Sequence, residues 1–277
     1  MVEKAFTIFI AADIEGITGY VNWPEKPPEE TWSREQMTAE VNAAIKGALK
    51  SGAKSVIVSD IHWRKQNIMP DKLLGGASLI RGTKRTRMWM DCVERSDLVF
   101  LVGFHAGCGV AGAVLSHTMD TRITRLRINS SEANEAFISA AAAGYYGVPV
   151  GLATGDRALI DEVKKFLPDI ETVAVKEGMG NCAALNLHPE AALERIEQVA
   201  EKAAKKGLEG GFKPFSVNEP VEMALEVCWP GYADALCLIP GVKRLSSREV
   251  AYTGDWPGAF GILSLFVNWV SNLPGIF

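Results

Sequence analysis

The chain has no C-x-x-C pair, no apolar run long enough to span a bilayer and no excess of basic residues. Its five cysteines (Cys92, Cys108, Cys182, Cys228 and Cys237) are odd in number and widely scattered. That pattern supports neither a disulfide framework nor a zinc ribbon, and it suits a reducing, cytoplasmic setting. A net charge of -4 leaves no cationic footprint for nucleic acid. The apolar residues 5–12 imitate a signal-peptide core, but Asp13 and Glu15 stand where a cleavage site would be needed. The apolar stretch 260–270 falls far short of the ~20 residues of a spanning helix. The expectation is a cytoplasmic protein with neither membrane nor nucleic acid as partner. Histidine is scarce as well, with only His62, His105, His117 and His188, so the placement of each carries information.

What is present is ordinary in bulk: 277 residues, 48% hydrophobic and 22% charged, enough for one large domain or two modest ones. The informative pattern is local. Residues 5–12 form an apolar run that ends abruptly at Asp13-Ile-Glu15-Gly16, as a strand buried on both faces of a parallel sheet would. Residues 54–60 repeat the pattern and end in Asp60 and His62; residues 98–103 repeat it again and end in His105. Ligand groups of parallel sheets gather at the carboxyl ends of the strands. A single Asp-x-Glu is often no more than a solvated turn, and a single strand-end histidine is often a core residue. Three strands delivering such residues to one edge argue for a site.

The remaining sequence predicts an α/β alternation. Ser33 with Gln36 reads as a capping box opening a helix that Gly52 ends, which makes a βαβ unit and forces parallel pairing. Residues 63–96 are irregular, and the basic cluster at 81–87 reads as a solvated loop. Residues 122–129 alternate like a half-exposed strand, 131–143 like a helix, 148–156 and 171–175 like strands, and 158–166 like a helix. From about residue 189 the texture changes to a charged helix reaching residue 206, then strands at 221–228, 234–239 and 248–253, and a last helix. The fold class expected is α/β, mainly a parallel sheet with flanking helices, plus a C-terminal α+β portion. Residues 1–190 would be the catalytic unit, with 191–277 either a second unit or a continuation of the first.

Asp, Glu and His converging without Cys suit a catalytic zinc or manganese site better than a structural zinc one, with enough ligands for two ions. His117 leaves the same edge and is suited to proton transfer or to stabilising a tetrahedral intermediate, though a third metal ligand or a surface position is equally open. His188, just ahead of a helix, reads as structural. Gly107-Cys-Gly-Val-Ala-Gly112 matches G-x-G-x-x-G, but the acidic residue a dinucleotide site needs about twenty positions on is missing.

Taken together, Asp13-x-Glu15-Gly16, Asp60-x-His62, Gly103-Phe-His-Ala106 and Ser116-His-Thr-Met119 resemble the zinc-dependent D-aminopeptidase family of self-compartmentalising metallopeptidases. The likeness continues through Asn129 to Glu135, Thr154-Gly-Asp156, Val175-Lys176 and Leu238-Ile-Pro-Gly241. It implies that Asp13, Glu15, His62, His105 and Glu135 bind two zinc ions per subunit (manganese or cobalt being alternatives). It further implies that His117 is catalytic, and that a metal-bridged hydroxide hydrolyses short peptides bearing N-terminal D-amino acids. Asp60 would orient a ligand imidazole. Family members form rings, so a homo-oligomer is expected, with a decameric ring as its form. Glu132 competes with Glu135 for the fifth ligand position. The chain departs from the family pattern at Ala11, Asn134 and Asn181-Cys182, the last bearing on substrate anchoring. The rival readings are an amidase or L-aminopeptidase on the same site, and a nucleotide-binding or regulatory protein using the Gly107–Gly112 loop.

Overall fold

The computed structural model describes residues 5–23 and 26–269. The chain runs β1 (Thr7–Ala12), α1 (Glu29–Lys50), β2 (Ser55–Asp60), β3 (Ala77–Ile80), β4 (Leu98–Phe104), β5 (Ile123–Ile128), β6 (Ser131–Glu132), α2 (Glu135–Tyr145), β7 (Val150–Asp156), α3 (Arg157–Phe166), β8 (Glu171–Gly180), β9 (Ala183–Asn186) and α4 (Pro189–Leu208). It closes with β10 (Val221–Val227), α5 (Pro230–Leu236), β11 (Val242–Arg244), β12 (Glu249–Gly254) and α6 (Trp256–Asn268). A seven-stranded sheet has the order β3-β2-β1-β4-β7-β8-β9, parallel except for the edge strand β9. A five-stranded antiparallel sheet has the order β11-β12-β10-β5-β6.

The apolar strands are continuous because both faces of the parallel sheet are covered. Ile8, Ile10 and Ala12 of β1 pack with Val41 and Ile45 of α1 and Ile196 and Ala200 of α4. Phe9 and Ala11 point the other way, into a core shared with α2 and the antiparallel sheet. The helices α1 and α4 touch closely at Gly47, where a Cβ would lie 2.3 Å from the Glu197 carbonyl oxygen.

Strand order places the site. The chain moves outward from β1 to β2 and β3, then returns to β4 on the opposite side of β1. The switch point of the sheet therefore lies between β1 and β4, where open α/β sheets bind ligands. Two glycines let the strand ends approach there. A Cβ on Gly16 would sit 1.8 Å from the Phe104 carbonyl oxygen, and one on Gly103 (φ 72°) would sit 2.3 Å from that of Asp13. Backbone hydrogen bonds run across this gap, from Asp13 N to Val102 O (2.9 Å) and from Gly16 N to Gly103 O (2.8 Å).

Several local expectations are corrected. Helix α1 begins at Glu29, with Pro28 at its N-cap; the two acidic residues of its first turn suit the positive end of the helix. Ser33 and Gln36 lie buried inside that helix, so no capping box forms. Helix α2 begins at Glu135, because residues 131–132 pair with β5 and Asn134 supplies the cap, accepting from Phe137 N at 2.8 Å. The segment predicted as a strand at 234–239 is mostly α5 and the turn after it; Pro230 opens that helix, a position where proline lacks nothing the helix needs. The short β3 lies in the stretch read as irregular. Arg85 of the supposedly solvated cluster is half-buried and donates to Ser59 Oγ (2.9 Å) and to the Asp60 carbonyl. Among the described residues, no helix is long and apolar enough to cross a membrane.

Candidate metal centre

Asp13 and Glu15 leave the end of β1, His62 leaves β2, His105 leaves β4 and Glu135 opens α2; all but His62 are buried. The five converge with His117 on one small volume. His62 Nδ1 lies 2.8 Å from Glu15 Oε2 and 3.6 Å from Asp13 Oδ1. His105 Nε2 lies 3.4 Å from Asp13 Oδ2 and 3.2 Å from Glu135 Oε1. His117 Nε2 is 3.9 Å from Glu15 Oε1 and 3.8 Å from Glu135 Oε1. The competing Glu132 is exposed and pairs with Arg125 instead, accepting from its Nε at 2.8 Å.

Neighbouring groups fix these side chains. The Trp23 indole N–H donates to Glu15 Oε1 at 2.8 Å, and its ring meets His117 edge-on at 5.0 Å. Buried Lys176 donates from Nζ to the carbonyls of Glu15 and Tyr20, bracing the turn after β1. Glu135 Oε1 accepts from Met119 N at 2.6 Å and so ties down the loop that carries His117. Asn181 holds the other end of that loop, its carbonyl accepting from Leu115 N at 2.8 Å. Asp60 acts at one remove. Its carboxylate accepts from the backbone N–H groups of Asn67 and Ile68 and from Asn67 Nδ2, and Asn67 Nδ2 also donates to the His62 carbonyl at 2.8 Å. Asp60 thus shapes the turn behind His62, and these bonds do not involve an imidazole ring.

His188 caps α4, its Nδ1 accepting from Glu190 N, and it stays exposed. The glycine loop opens no helix. Its Gly107 N–H donates to Glu162 Oε2 at 2.8 Å, which puts a carboxylate where a dinucleotide site would seat a phosphate.

The donor set fits a divalent metal on a specific test. The Nδ1–H of His105 donates to the Ala106 carbonyl at 2.9 Å, which leaves Nε2 with a lone pair. That atom is buried and, among the described residues, has no hydrogen-bond partner. It faces carboxylate oxygens of Asp13 (3.4 Å) and Glu135 (3.2 Å), so three electron-rich atoms converge. Such a group is unstable unless a proton or a cation sits among its members. The electrostatics agree. Burial and the nearby Glu15 carboxylate push Asp13 up; burial opposes the imidazolium forms of His62 and His105, but Glu15 and Glu135 respectively overcome it and push both up. The pocket draws in positive charge, which metal ions supply in place of protons. Donor atoms of Asp13, Glu15 and His105 lie within 4.8 Å of one another, as do those of His105, His117 and Glu135.

A parallel sheet with these carboxylates and imidazoles at its switch point defines an α/β protein carrying the donor set of a hydrolytic metal centre. The D-aminopeptidase family model matches residues 6–263, and the chain belongs to that family. A D-aminopeptidase of Bacillus subtilis (strain 168) is 29% identical over 245 residues, covering 85% of this chain and 86% of the relative. The solved structure of the Zn-dependent D-aminopeptidase DppA from Bacillus subtilis, described as a self-compartmentalizing protease, superposes with a TM-score of 0.87. At 24% identity, that match covers 98% of this chain and all of the other, and it establishes the shared fold.

Trp23, Lys176 and Asn67 act on the site without having been assigned a role from sequence, and Asn181, noted there for substrate anchoring, also ties down the loop of His117. Trp23 and Asn67 lie in stretches where no periodicity marks a contact. Lys176 stood within the family pattern, and only its burial shows what its ammonium does.

Proposed function

We propose that the chain is a zinc-dependent aminopeptidase that removes N-terminal D-amino acids from short peptides. The observation that carries this reading is the unpartnered Nε2 of His105 facing Asp13 and Glu135, in a chain of the D-aminopeptidase family. Asp13, Glu15, His62, His105 and Glu135 would hold two zinc ions, Asp13 lying within 3.6 Å of His62 and 3.4 Å of His105. Bound zinc would supply Lewis acidity, polarising the scissile carbonyl and activating water near neutral pH, so that no Ser or Cys nucleophile is needed.

The chain's own groups do the rest. His117 donates its Nδ1–H to the Leu115 carbonyl at 2.9 Å, so Nε2 faces the centre with a lone pair; it would take the proton released by the attacking water, and in that protonated form steady a developing oxyanion or hand the proton to the departing amine. Its pKa is lowered by burial and by the neighbouring His105. A cavity of about 470 Å³ beside the centre is lined by Tyr20, Trp23 and Trp63 along with Glu15, His62 and His117, and it suits the side chain of the N-terminal residue. We read residues 1–190 and 191–277 as one folding unit, because α4 packs on α1 and β10 pairs with β5. A cytoplasmic homo-oligomer, with a decameric ring as its form, completes the proposal; the self-compartmentalizing description of DppA supports association.

The amidase and L-aminopeptidase readings are disfavoured by the family description, and the nucleotide reading by the Glu162 carboxylate at the glycine loop. Elemental analysis combined with turnover of D- and L-aminoacyl p-nitroanilides, before and after chelation, tests the proposal. Zinc-dependent turnover favouring the D-series is expected. Faster L-turnover removes the stereochemical claim, and chelator-insensitive turnover removes the metal.

A further inference from the structure

Lys65 stands three residues beyond His62 in the turn that follows β2. Its backbone is held in the left-handed region (φ 55°), where a residue with a side chain is kept only by its surroundings. Those surroundings are explicit: Lys65 N–H donates to the His62 carbonyl at 2.7 Å, and the Lys65 carbonyl accepts from Gly82 N at 2.8 Å. The residue is only 6% exposed, yet it lines a cavity of about 700 Å³ whose wall also includes Asp13, Glu15, His62 and Glu135. Among the described residues its ammonium makes one hydrogen bond, a long one of 3.5 Å to the Trp63 carbonyl, and no ion pair. An ammonium has three donors, and one that is buried and so thinly satisfied calls for a partner.

The carboxylates of the centre do not answer that call. If they hold two dications, the three of them fall one charge short of neutralising the metal, and the cavity is cationic before Lys65 is counted. Asp120, an acid elsewhere on the wall, is already paired with Arg122 at 2.9 Å. Arg64 and Lys84 line the same cavity, lying over the rings of Trp63 (4.8 Å) and Trp269 (4.3 Å). The group missing from this wall is an anion, and a short peptide whose N-terminal bond is being cut brings one on its far end.

We infer that Lys65 receives the C-terminal carboxylate of the substrate, making it a specificity-determining residue that restricts the enzyme to peptides short enough to place both termini in one cavity. The inference rests on the aminopeptidase reading and adds to it the residue that reads the far end of a short peptide.

The test compares D-alanylglycine with D-alanylglycinamide on the zinc-loaded enzyme, in wild type and in Lys65→Met. A charge-assisted contact of this kind corresponds to about 10- to 100-fold in kcat/KM, so the wild type should favour the acid by that factor, chiefly through KM. In Lys65→Met the acid-to-amide ratio should collapse toward one, and Lys65→Arg should recover part of it. Zinc content of Lys65→Met by elemental analysis should match wild type, which places the loss on the substrate end. A wild-type ratio near one overturns the inference without any variant, leaving the peptidase reading intact; so does a Lys65→Met enzyme that keeps the wild-type ratio. Failure to cleave either peptide brings down the peptidase reading and this inference with it.

Discussion

The imidazoles of His105 and His117 stack face to face, 4.1 Å between centroids and 9° from parallel, and both turn Nε2 toward Glu135. Each is locked in that tautomer by a carbonyl at Nδ1, that of Ala106 for one and of Leu115 for the other. The two rings differ in what lies beyond. His105 sits 1% exposed at the end of a strand, while His117 rides a loop and faces the cavity. The stack therefore pairs a ring suited to grip an ion with one suited to meet the substrate.

That division predicts different behaviour on truncation. His117→Ala should lower kcat by about 10²- to 10⁴-fold, the usual worth of a positioned acid–base group, while zinc content by elemental analysis stays at the wild-type level. Parallel loss of zinc and turnover would make His117 a ligand, an arrangement its 3.8 Å distance from Glu135 also permits.

His105→Ala should behave in the opposite sense, losing metal first and turnover as a consequence. Without a cation the buried carboxylates of Asp13, Glu15 and Glu135 repel one another, so chelation of the wild type should lower Tm, and restored zinc should raise it. An ion present at 1,000 times its Kd contributes about 4 kcal/mol. A Tm that ignores both EDTA and added zinc would argue against a structural debt to metal at this edge.

Trp23 supports the centre from outside. Its indole N–H bond to Glu15 orients a carboxylate that the imidazoles, against the opposing effect of burial, hold well below its usual range. Groups bonded to metal ligands are commonly worth 10- to 100-fold in affinity or activity. Trp23→Phe keeps most of the ring and removes the donor, so zinc affinity by competition with a chelator should fall within that range. An unchanged affinity would confine Trp23 to shaping the cavity.

What the sequence disclosed of this arrangement follows the physics of each residue. Asp13, His62 and His105 were legible because buried parallel strands write long apolar runs, and a polar residue at the end of such a run is conspicuous. The switch point between β1 and β4 was not legible, since strand order is a tertiary fact that only pairing reveals. Glu135 was ambiguous with Glu132 until Asn134 appeared as the cap that turns one carboxylate inward and leaves the other in solvent. The capping box at Ser33 misled because the same residue types also serve inside a buried helix, where Gln36 donates to Glu40 at 3.1 Å instead of closing a helix end.

Glu40 itself yields a prediction away from the chemistry. It is fully buried in α1, with Oε1 accepting from Thr18 N (2.9 Å) and Gln36 and Oε2 without a partner among the described residues. Burial outweighs these bonds and the charge of Lys176, and pushes its pKa from 4.5 up to about 7. A carboxyl group that binds its proton more tightly when folded stabilises the fold fully below pH 4.5, and loses that contribution as pH rises to about 7. Between pH 5 and pH 8 the loss amounts to roughly 2–3 kcal/mol. Glu40→Gln cannot ionise, so its stability by urea denaturation should fall less than that of wild type over this interval, narrowing the gap between them or reversing it at pH 8. Parallel curves for the two proteins across that range would show that Glu40 stays ionised in the fold.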